Sequence, residues 1–420
     1  MVGPDEALSL VLKNVSPLGS ERVSILGALG RVLAEQVRSP RDIPGLDNSA
    51  MDGYALRAAD VATASEANPV RLRVVETIAA GAMPSVSVGP GQAARIMTGA
   101  PIPAGADSVI AVERTDGGNG EVAVLSPVER GSCVRPRGED IRAGESALEP
   151  GKVLRPADLG MLAALNRATV SVCRQPRVAI VCTGDELVDV DQVPTGGQVV
   201  NSSGYALAGA VSEAGGIPVL MPIVRDKPEE IRAVLTEAAA FDVIFTTGGV
   251  SVGQFDHVKR VLDELGMEQV FHGVRQRPGR PLKFGLLNGR PLFGFPGNPV
   301  STVLCFYLYA RPTLLKMGGR SALGLARRTV RCAADIKTAR EMTEFVRVRL
   351  EPRDGELFVT PTGDQGSGIL SSFSRADALL LGPARETTLR AGTQATVLLL
   401  APEATGDCEA FFEERLRQNH

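Results

Sequence analysis

The chain has 420 residues, 44% of them hydrophobic and 22% charged, the balance of a soluble globular protein. It is too long for one ordinary core, so roughly two to four domains are expected. A formal charge of −3 offers no global attraction to nucleic acid or anionic lipid. With no Trp and only 4% aromatics the chain is also a poor base-stacking or sugar-binding platform.

The six Cys (Cys133, Cys173, Cys182, Cys305, Cys332 and Cys408) are scattered without a C-x-x-C pair. That spacing fits buried thiols in a reducing cytoplasm better than a disulfide frame or a zinc site. The sequence MVGPDEALSL lacks a basic flank and an apolar signal core, and residues 300–308 are too short an apolar run to span a bilayer. The expectation is a cytoplasmic protein with no membrane and no nucleic-acid partner.

In chain order, residues 5–15 and 27–36 carry helical spacing of Leu and Val. The following SPRDIPGLDNSAMDGYAL is dense in Pro, Gly and Asp and reads as too polar for a core element. From residue 71 to 149, short alternating runs (RLRVVET, AARIMTG, DSVIAVERT, EVAVLS) predict a small β-rich domain. PADLGMLAAL, residues 156–165, reads as a helix. Strands and helices then alternate from 177 to about 317, which implies a mostly parallel sheet covered on both faces. Beyond residue 318 the helical pattern fades into short strands, the pattern of a small barrel or sandwich.

In an open α/β sheet, ligands bind at the carboxyl ends of the strands. The loops expected there converge chemically. They are Cys182-Thr183-Gly184-Asp185-Glu186, Val224-Arg225-Asp226, the turn Thr246 to Asp256, and Phe295-Pro296-Gly297-Asn298-Pro299. Gly248 and Gly249, where a strand hands over to a helix, allow close backbone approach, and the helix start favours an oxyanion. A lone Gly-Gly would more often be a plain tight turn with an N-cap Asp. Repetition of Gly, Asp and Asn at one sheet edge reverses that preference. Arg275, Arg277, Arg280 and Lys283 in VRQRPGRPLK add cations near the same edge, and guanidinium forks match phosphate oxygens. Carboxylates with cations in one cleft suit a Mg²⁺–phosphate ligand. No P-loop or dinucleotide fingerprint occurs, the three His lack a metal-ligand spacing, and Ser251 has no obvious partner base. The chemistry therefore reads as electrostatic and metal-assisted rather than covalent.

GLDNSAMDGYA, MTGAPIPAGAD, PRGEDI, TGDEL, TTGGVSVGQFD, RPGRPLKFG, GFPGNPVS and SGILSSFSRADAL occur in this order. The set resembles the molybdopterin molybdenumtransferase family, related to the C-terminal part of gephyrin, and the resemblance runs to about residue 383. It implies a multidomain α/β protein with a central, mostly parallel three-layer α/β domain (169–320). A linker domain (1–40 plus 138–168), an inserted β-rich domain (41–137) and a C-terminal β-barrel (321–420) complete it. It also implies a homodimer whose cleft joins the α/β domain of one subunit to the β-rich domain of the other. The reaction would take adenylylated molybdopterin, molybdate as substrate and Mg²⁺, and release AMP. Asp52, Thr98 and Asp140 would come from the partner side. Thr183, Gly184, Asp185, Glu186, Asp226, Gly248, Gly249, Ser251, Arg277, Arg280, Asp256, Pro296 and Pro299 would line the α/β side. Asp256, Glu186, Asp52 and Asp140 are the expected catalytic residues, with Asp185, Glu186 and Asp256 on the metal.

Two positions depart from the family pattern. Gln254 replaces the penultimate acid of G-G-V-S-x-G-[DE]-x-D, and Arg277-Pro278-Gly279-Arg280 replaces Lys-Pro-Gly-Lys. Molybdopterin adenylyltransferase and molybdoenzyme chaperones are further partners in that reading. The competing readings are a non-catalytic gephyrin-like scaffold that binds a partner peptide, and the sister adenylylation activity.

Overall fold

The computed structural model describes residues 1–248, 257–338, 341–353, 355–382 and 388–400. The chain divides into two compact units. One comprises Met1–Arg22, Gly30–Ala34 and Ser171–His420, and the other Val23–Leu29 and Glu35–Val170.

The second unit is built on a five-stranded sheet. Its strands are β1 (Gly53–Leu56), β2 (Val70–Ile78), β3 (Gln92–Ile96), β4 (Ser108–Ala111) and β5 (Glu121–Val124), in the order β4-β1-β3-β2-β5. The alternating runs of the sequence form β2 to β5 as expected. β1 corrects the polar reading of its segment: Tyr54, Ala55 and Leu56 are fully buried in the middle of the sheet. Gly53 makes that position possible, since a Cβ there would lie 1.9 Å from the Ile110 carbonyl oxygen. The expected helix at 27–36 is absent as well. Leu26–Ala28 forms one 3-10 turn, Gly30 takes a positive φ of 73°, and Leu33 bridges to Val172. Two glycines in four residues outweigh the apolar spacing. A helix at Pro156–Ala164 matches its expectation.

The first unit carries a six-stranded sheet. Its strands are β6 (Arg177–Cys182), β7 (Ile217–Leu220), β8 (Val243–Thr247), β9 (Glu268–His272), β10 (Lys283–Leu287) and β11 (Arg290–Phe295), in the order β7-β6-β8-β11-β10-β9. The first four run parallel and the last two close the edge as antiparallel strands. Helices α1 (Ser202–Glu213), α2 (Pro228–Ala238), α3 (His257–Glu264), α4 (Pro299–Cys305) and α5 (Arg311–Met317) cover both faces.

The strands alternate cleanly between those faces. Val178, Ile180, Val243 and Phe245 pack with Leu207, Phe306 and the N-terminal helix Pro4–Lys13, whereas Ala179, Val181 and Ile244 pack with Ile231, Leu235 and Val258. Phe245 anchors the first face edge-on to Phe293, Phe295 and Phe306 at 5.7, 5.1 and 6.1 Å. Truncating such a residue to Ala costs about 3–5 kcal/mol. The long helix expected over 299–317 is interrupted by a π turn at Phe306–Ala310. Pro312 has no N–H for the carbonyl of residue 308, so the backbone there accommodates a wider turn.

The remaining strands, β12 (Arg327–Cys332), β13 (Thr343–Arg353), β14 (Glu356–Pro361), β15 (Ala378–Gly382) and β16 (Gln394–Leu399), pair in the cycle β13-β14-β12-β16-β15-β13. They form a closed five-stranded barrel around Val330, Val346, Val348, Val359 and Leu380. A short strand, Gln276–Arg277, adds to β13 from outside the cycle. Among the described residues no helix is long and apolar enough to cross a membrane.

Candidate active site

The parallel strands of the first unit end level with one another. Cys182 pairs with Thr247, and Thr247 with Phe295. The loops after β6, β8 and β11 therefore start from one line, as the strand-end rule requires. Thr183 continues the pairing. Its N–H donates to the Thr247 carbonyl at 3.1 Å, and it bridges in parallel to Val224. Val224 N–H donates to Cys182 O at 3.0 Å and Gly184 N–H to Val224 O at 3.1 Å. This stitching brings two acidic loops together, and the Asp226 N–H donates to Asp185 Oδ1 at 3.2 Å.

Two glycines are required by the close packing. Gly248 has φ +85°, and a Cβ there would sit 2.5 Å from the Thr183 carbonyl oxygen. A Cβ on Gly184 would meet Glu186 Oε2 at 2.5 Å, so the Glu186 carboxylate lies back over its own loop. Gly297 lies against Gly248, with its built Cβ 3.9 Å from the Gly248 Cα. Asn201 caps α1 by accepting the Gly204 N–H at 3.0 Å, and Ser203 Oγ reaches the Gly297 carbonyl at 3.4 Å.

A cavity of about 590 Å³ opens between these loops, lined among others by Thr183, Glu186, Gly248, Asn201, Ser203 and Pro299. Hydroxyls, the first turn of α1 and one carboxylate face it, a lining suited to an anionic ligand with polar edges. Asp226, in the loop after β7 and bonded to Asp185, binds its proton more tightly than an ordinary carboxyl. Burial is the main cause, followed by the charges of Asp185 and Glu186, while His257 acts in the opposite direction. The three carboxylates thus form a locally overcharged corner. Cys182 lies directly beneath, fully buried, and burial raises its thiol above the usual range, which argues against a thiolate nucleophile.

The residues expected from the sequence separate into groups. Thr183, Glu186, Gly248 and Pro299 line the cavity. Gly184, Asp185 and Asp226 adjoin it through the bonds above, and buried Pro296 gives its carbonyl to Thr302 Oγ1 at 2.5 Å. Gly249, Ser251, Gln254 and Asp256 lie outside the described residues. Among the described residues no set of three or more His, Cys, Asp or Glu is arranged to hold a metal ion. Arg277 and Arg280 are exposed on the β9–β10 connection and do not line the cavity. Arg277 Nε stands 3.8 Å from Glu344, and Arg280 Nε 3.3 Å from Met1 Sδ. Lys283 is buried in β10.

In the other unit, Asp52 and Thr98 are brought together. Asp52 Oδ1 accepts the Thr98 N–H at 2.7 Å and its hydroxyl at 2.8 Å, and these two bonds hold the Asp52 carboxyl below its ordinary value. Asp140 is exposed in a turn whose backbone N–H donates to Ile43 O at 3.0 Å.

Sequence reasoning missed Asn201, Ser202 and Ser203, although Asn-Ser-Ser before an apolar helix is a recognisable capping signal. It also missed the support of Asn298, whose Nδ2 donates to Ser367 Oγ at 3.2 Å. That contact joins residues 69 apart and has no local signature.

Comparisons with known proteins agree with this architecture. The MoeA N-terminal region (domain I and II) matches residues 2–166, a "Probable molybdopterin binding domain" matches 179–316, and the MoeA C-terminal region (domain IV) matches 329–400. A molybdopterin molybdenumtransferase of Nostoc sp. is 37% identical over 93% of this chain and 91% of its own. One from Bacillus subtilis is 34% identical over 95% and 94%. The crystal structure of a molybdopterin biosynthesis MoeA protein from Pyrococcus horikosii superposes with a TM-score of 0.81 at 34% identity, covering 96% of this chain and all of that one. With three domain families in the same order and curated relatives matched over nearly their full length, the chain belongs to the molybdopterin molybdenumtransferase family, enzymes of molybdenum cofactor biosynthesis.

Proposed function

We propose that the chain inserts molybdenum from molybdate into adenylylated molybdopterin with Mg²⁺, releasing AMP. The observation that carries this reading is the meeting of Asp185, Glu186 and Asp226 beside a cavity lined by hydroxyls and a helix start. The corner fits a cation, because arriving positive charge offsets both the burial and the neighbouring charges that raise Asp226. Mg²⁺ completes its shell with waters and substrate phosphates, so the carboxylates need supply only part of it. Asp185, Glu186 and Asp256 would hold the ion, whose chemistry is to neutralise charge on the pyrophosphate bridge.

The chain's own groups divide the remaining work. Thr183, Gly248, the first turn of α1 and the guanidinium groups of Arg277 and Arg280 bind phosphate oxygens. Pro296 and Pro299 shape the wall, with Gly249 and Ser251 in the same turn as Asp256. Expelling water from such a site strengthens each of these contacts as AMP departs. Asp52, Thr98 and Asp140 serve the reaction from a second copy of the chain, in a cytoplasmic homodimer.

Glu186→Gln and Asp256→Ala are expected to bind the pterin nucleotide within severalfold of wild type. On adding molybdate they should release AMP at least about a hundredfold more slowly. Near-normal release by both would remove these roles. Mixing an Asp52→Asn protein with a Glu186→Gln protein should recover activity by forming one intact site per mixed dimer, and no recovery would exclude the shared cleft. ATP turnover with free molybdopterin would instead identify the adenylylation activity.

A further inference from the structure

Around the two arginines of the β9–β10 connection, exposure alternates. Gln276 and Gly279 are buried, and Arg277 and Arg280 are exposed. The buried members belong to a polar network in an otherwise apolar region. The Tyr309 hydroxyl donates to Gln276 Oε1. Gln276 Nε2 donates to Pro278 O at 3.1 Å and lies 3.6 Å from Cys305 Sγ, and the Cys305 thiol donates to Gly279 O at 3.6 Å. Gln276 and Cys305 are fully buried and Tyr309 is 1% exposed. Gly279 has φ +89°, and a Cβ there would lie 2.5 Å from Cys305 Sγ and 2.8 Å from Gln276 Nε2, so the turn sits hard on α4. Tyr309 belongs to the π turn, a distortion that recurs at functional positions. Burial pushes the Tyr309 hydroxyl far above the usual phenol range, so it remains a donor at any working pH.

A buried polar network is costly to desolvate, and its gain is a fixed geometry. The backbone it fixes is the one that carries the two exposed cations. We propose that Tyr309, Gln276 and Cys305 are positioning residues that lock the Arg277–Arg280 turn so that both guanidinium groups meet the substrate's phosphate oxygens in one orientation. This rests on the assignment of those arginines to phosphate binding made above. A guanidinium grips phosphate through two parallel bonds only when its fork is held in place, and a loose turn reduces it to a point charge.

The test uses Tyr309→Phe and Gln276→Met, which keep volume and remove hydrogen bonding, beside an Arg277→Gln/Arg280→Gln double variant. Inorganic pyrophosphate binding is measured by calorimetry across a salt series, and AMP release gives kcat and KM. Both lock variants should raise the pyrophosphate Kd and the KM for the pterin nucleotide about tenfold, with kcat within about twofold. Their salt dependence should match wild type, because both cations remain, whereas the double variant should flatten it. If either variant loses cooperative melting, Cys305→Ala carries the same test with a smaller rise. Folded lock variants with unchanged Kd and KM, or with kcat falling alongside KM, overturn the lock. A double variant with unchanged Kd and salt slope overturns the phosphate role of the arginines instead.

Discussion

Asp185 accepts the backbone N–H of Asp226 at 3.2 Å, joining the loop after β6 to the loop after β7. Parallel pairing of Thr183 with Val224 puts Asp185 and Asp226 at equivalent positions past the sheet edge. A negatively charged corner built this way is held by backbone hydrogen bonds, so it stays in place when one side chain is changed.

That corner makes a pH and metal prediction. Asp226 lies above the ordinary Asp value because of burial and the neighbouring charges of Asp185 and Glu186. The folded state therefore holds this proton more tightly than the unfolded chain. Its ionised form opposes folding once pH rises above the raised value, and the opposition fades as pH falls through it. Asp226→Asn should raise Tm at neutral pH and lose the advantage below about pH 4. Mg²⁺ at ten times its Kd should stabilise the wild type by about 1.4 kcal/mol and the variant by less, with chelator reversing the gain. Differential scanning calorimetry with and without Mg²⁺ checks both statements.

Gly248→Ala should damage the site more than the fold. The positive φ costs a side chain about 1–2 kcal/mol, and the new methyl would press on the Thr183 carbonyl 2.5 Å away. The expected result is a folded protein, less stable by at least that amount in denaturant titration, with AMP release reduced by about a hundredfold.

At Asp52 the sign is opposite. Two bonds from Thr98 favour the carboxylate, first the backbone N–H and then the hydroxyl. The stabilisation they lend is present above the unfolded Asp value and is lost as pH falls through the lowered one. Thr98→Val removes only the hydroxyl, so the Asp52 carboxyl should titrate nearer to its ordinary value without reaching it. Carbon-detected NMR of the side-chain carboxyl follows the change directly.

The strands of the six-stranded sheet were readable from the sequence because burial on two faces demands continuous β-branched and aromatic runs, as in Val243 to Thr246. In the other sheet, β2 to β5 showed through alternation. The converging loops followed from the strand-end rule, and Thr183, Glu186 and Gly248 came with them. The end of SPRDIPGLDNSAMDGYAL was misread because a fully buried strand of Gly, Tyr, Ala and Leu adjoins a polar turn and shows no alternation. The failed helix at 27–36 had apolar spacing but also Gly27 and Gly30. The positions of the Arg277 and Arg280 side chains depend on partners such as Glu344 and Met1, far away in sequence, and no local pattern encodes them.

Arg347 supports the site from the barrel. Its buried Nε donates to Ser372 Oγ at 2.7 Å, and Nη2 donates to Gly366 O at 3.2 Å and Asp364 O at 3.4 Å. The loop it holds presents Ser367, which bonds Asn298 and accepts the Val300 N–H at 3.3 Å. Arg347→Met should cost about 3 kcal/mol, roughly one for each hydrogen bond removed. It should also loosen Asn298, read as a severalfold rise in KM. Urea unfolding and steady-state kinetics measure the two effects separately.

Closure of the barrel has a consequence for association. In the ring from β13 round to β15, each strand pairs with a neighbour on both sides, and the short Gln276–Arg277 strand covers part of β13 from outside. Templated growth by one chain lending a strand to the next finds little open ladder to extend. Recognition of this domain by another protein would then fall mainly to its side chains rather than its backbone.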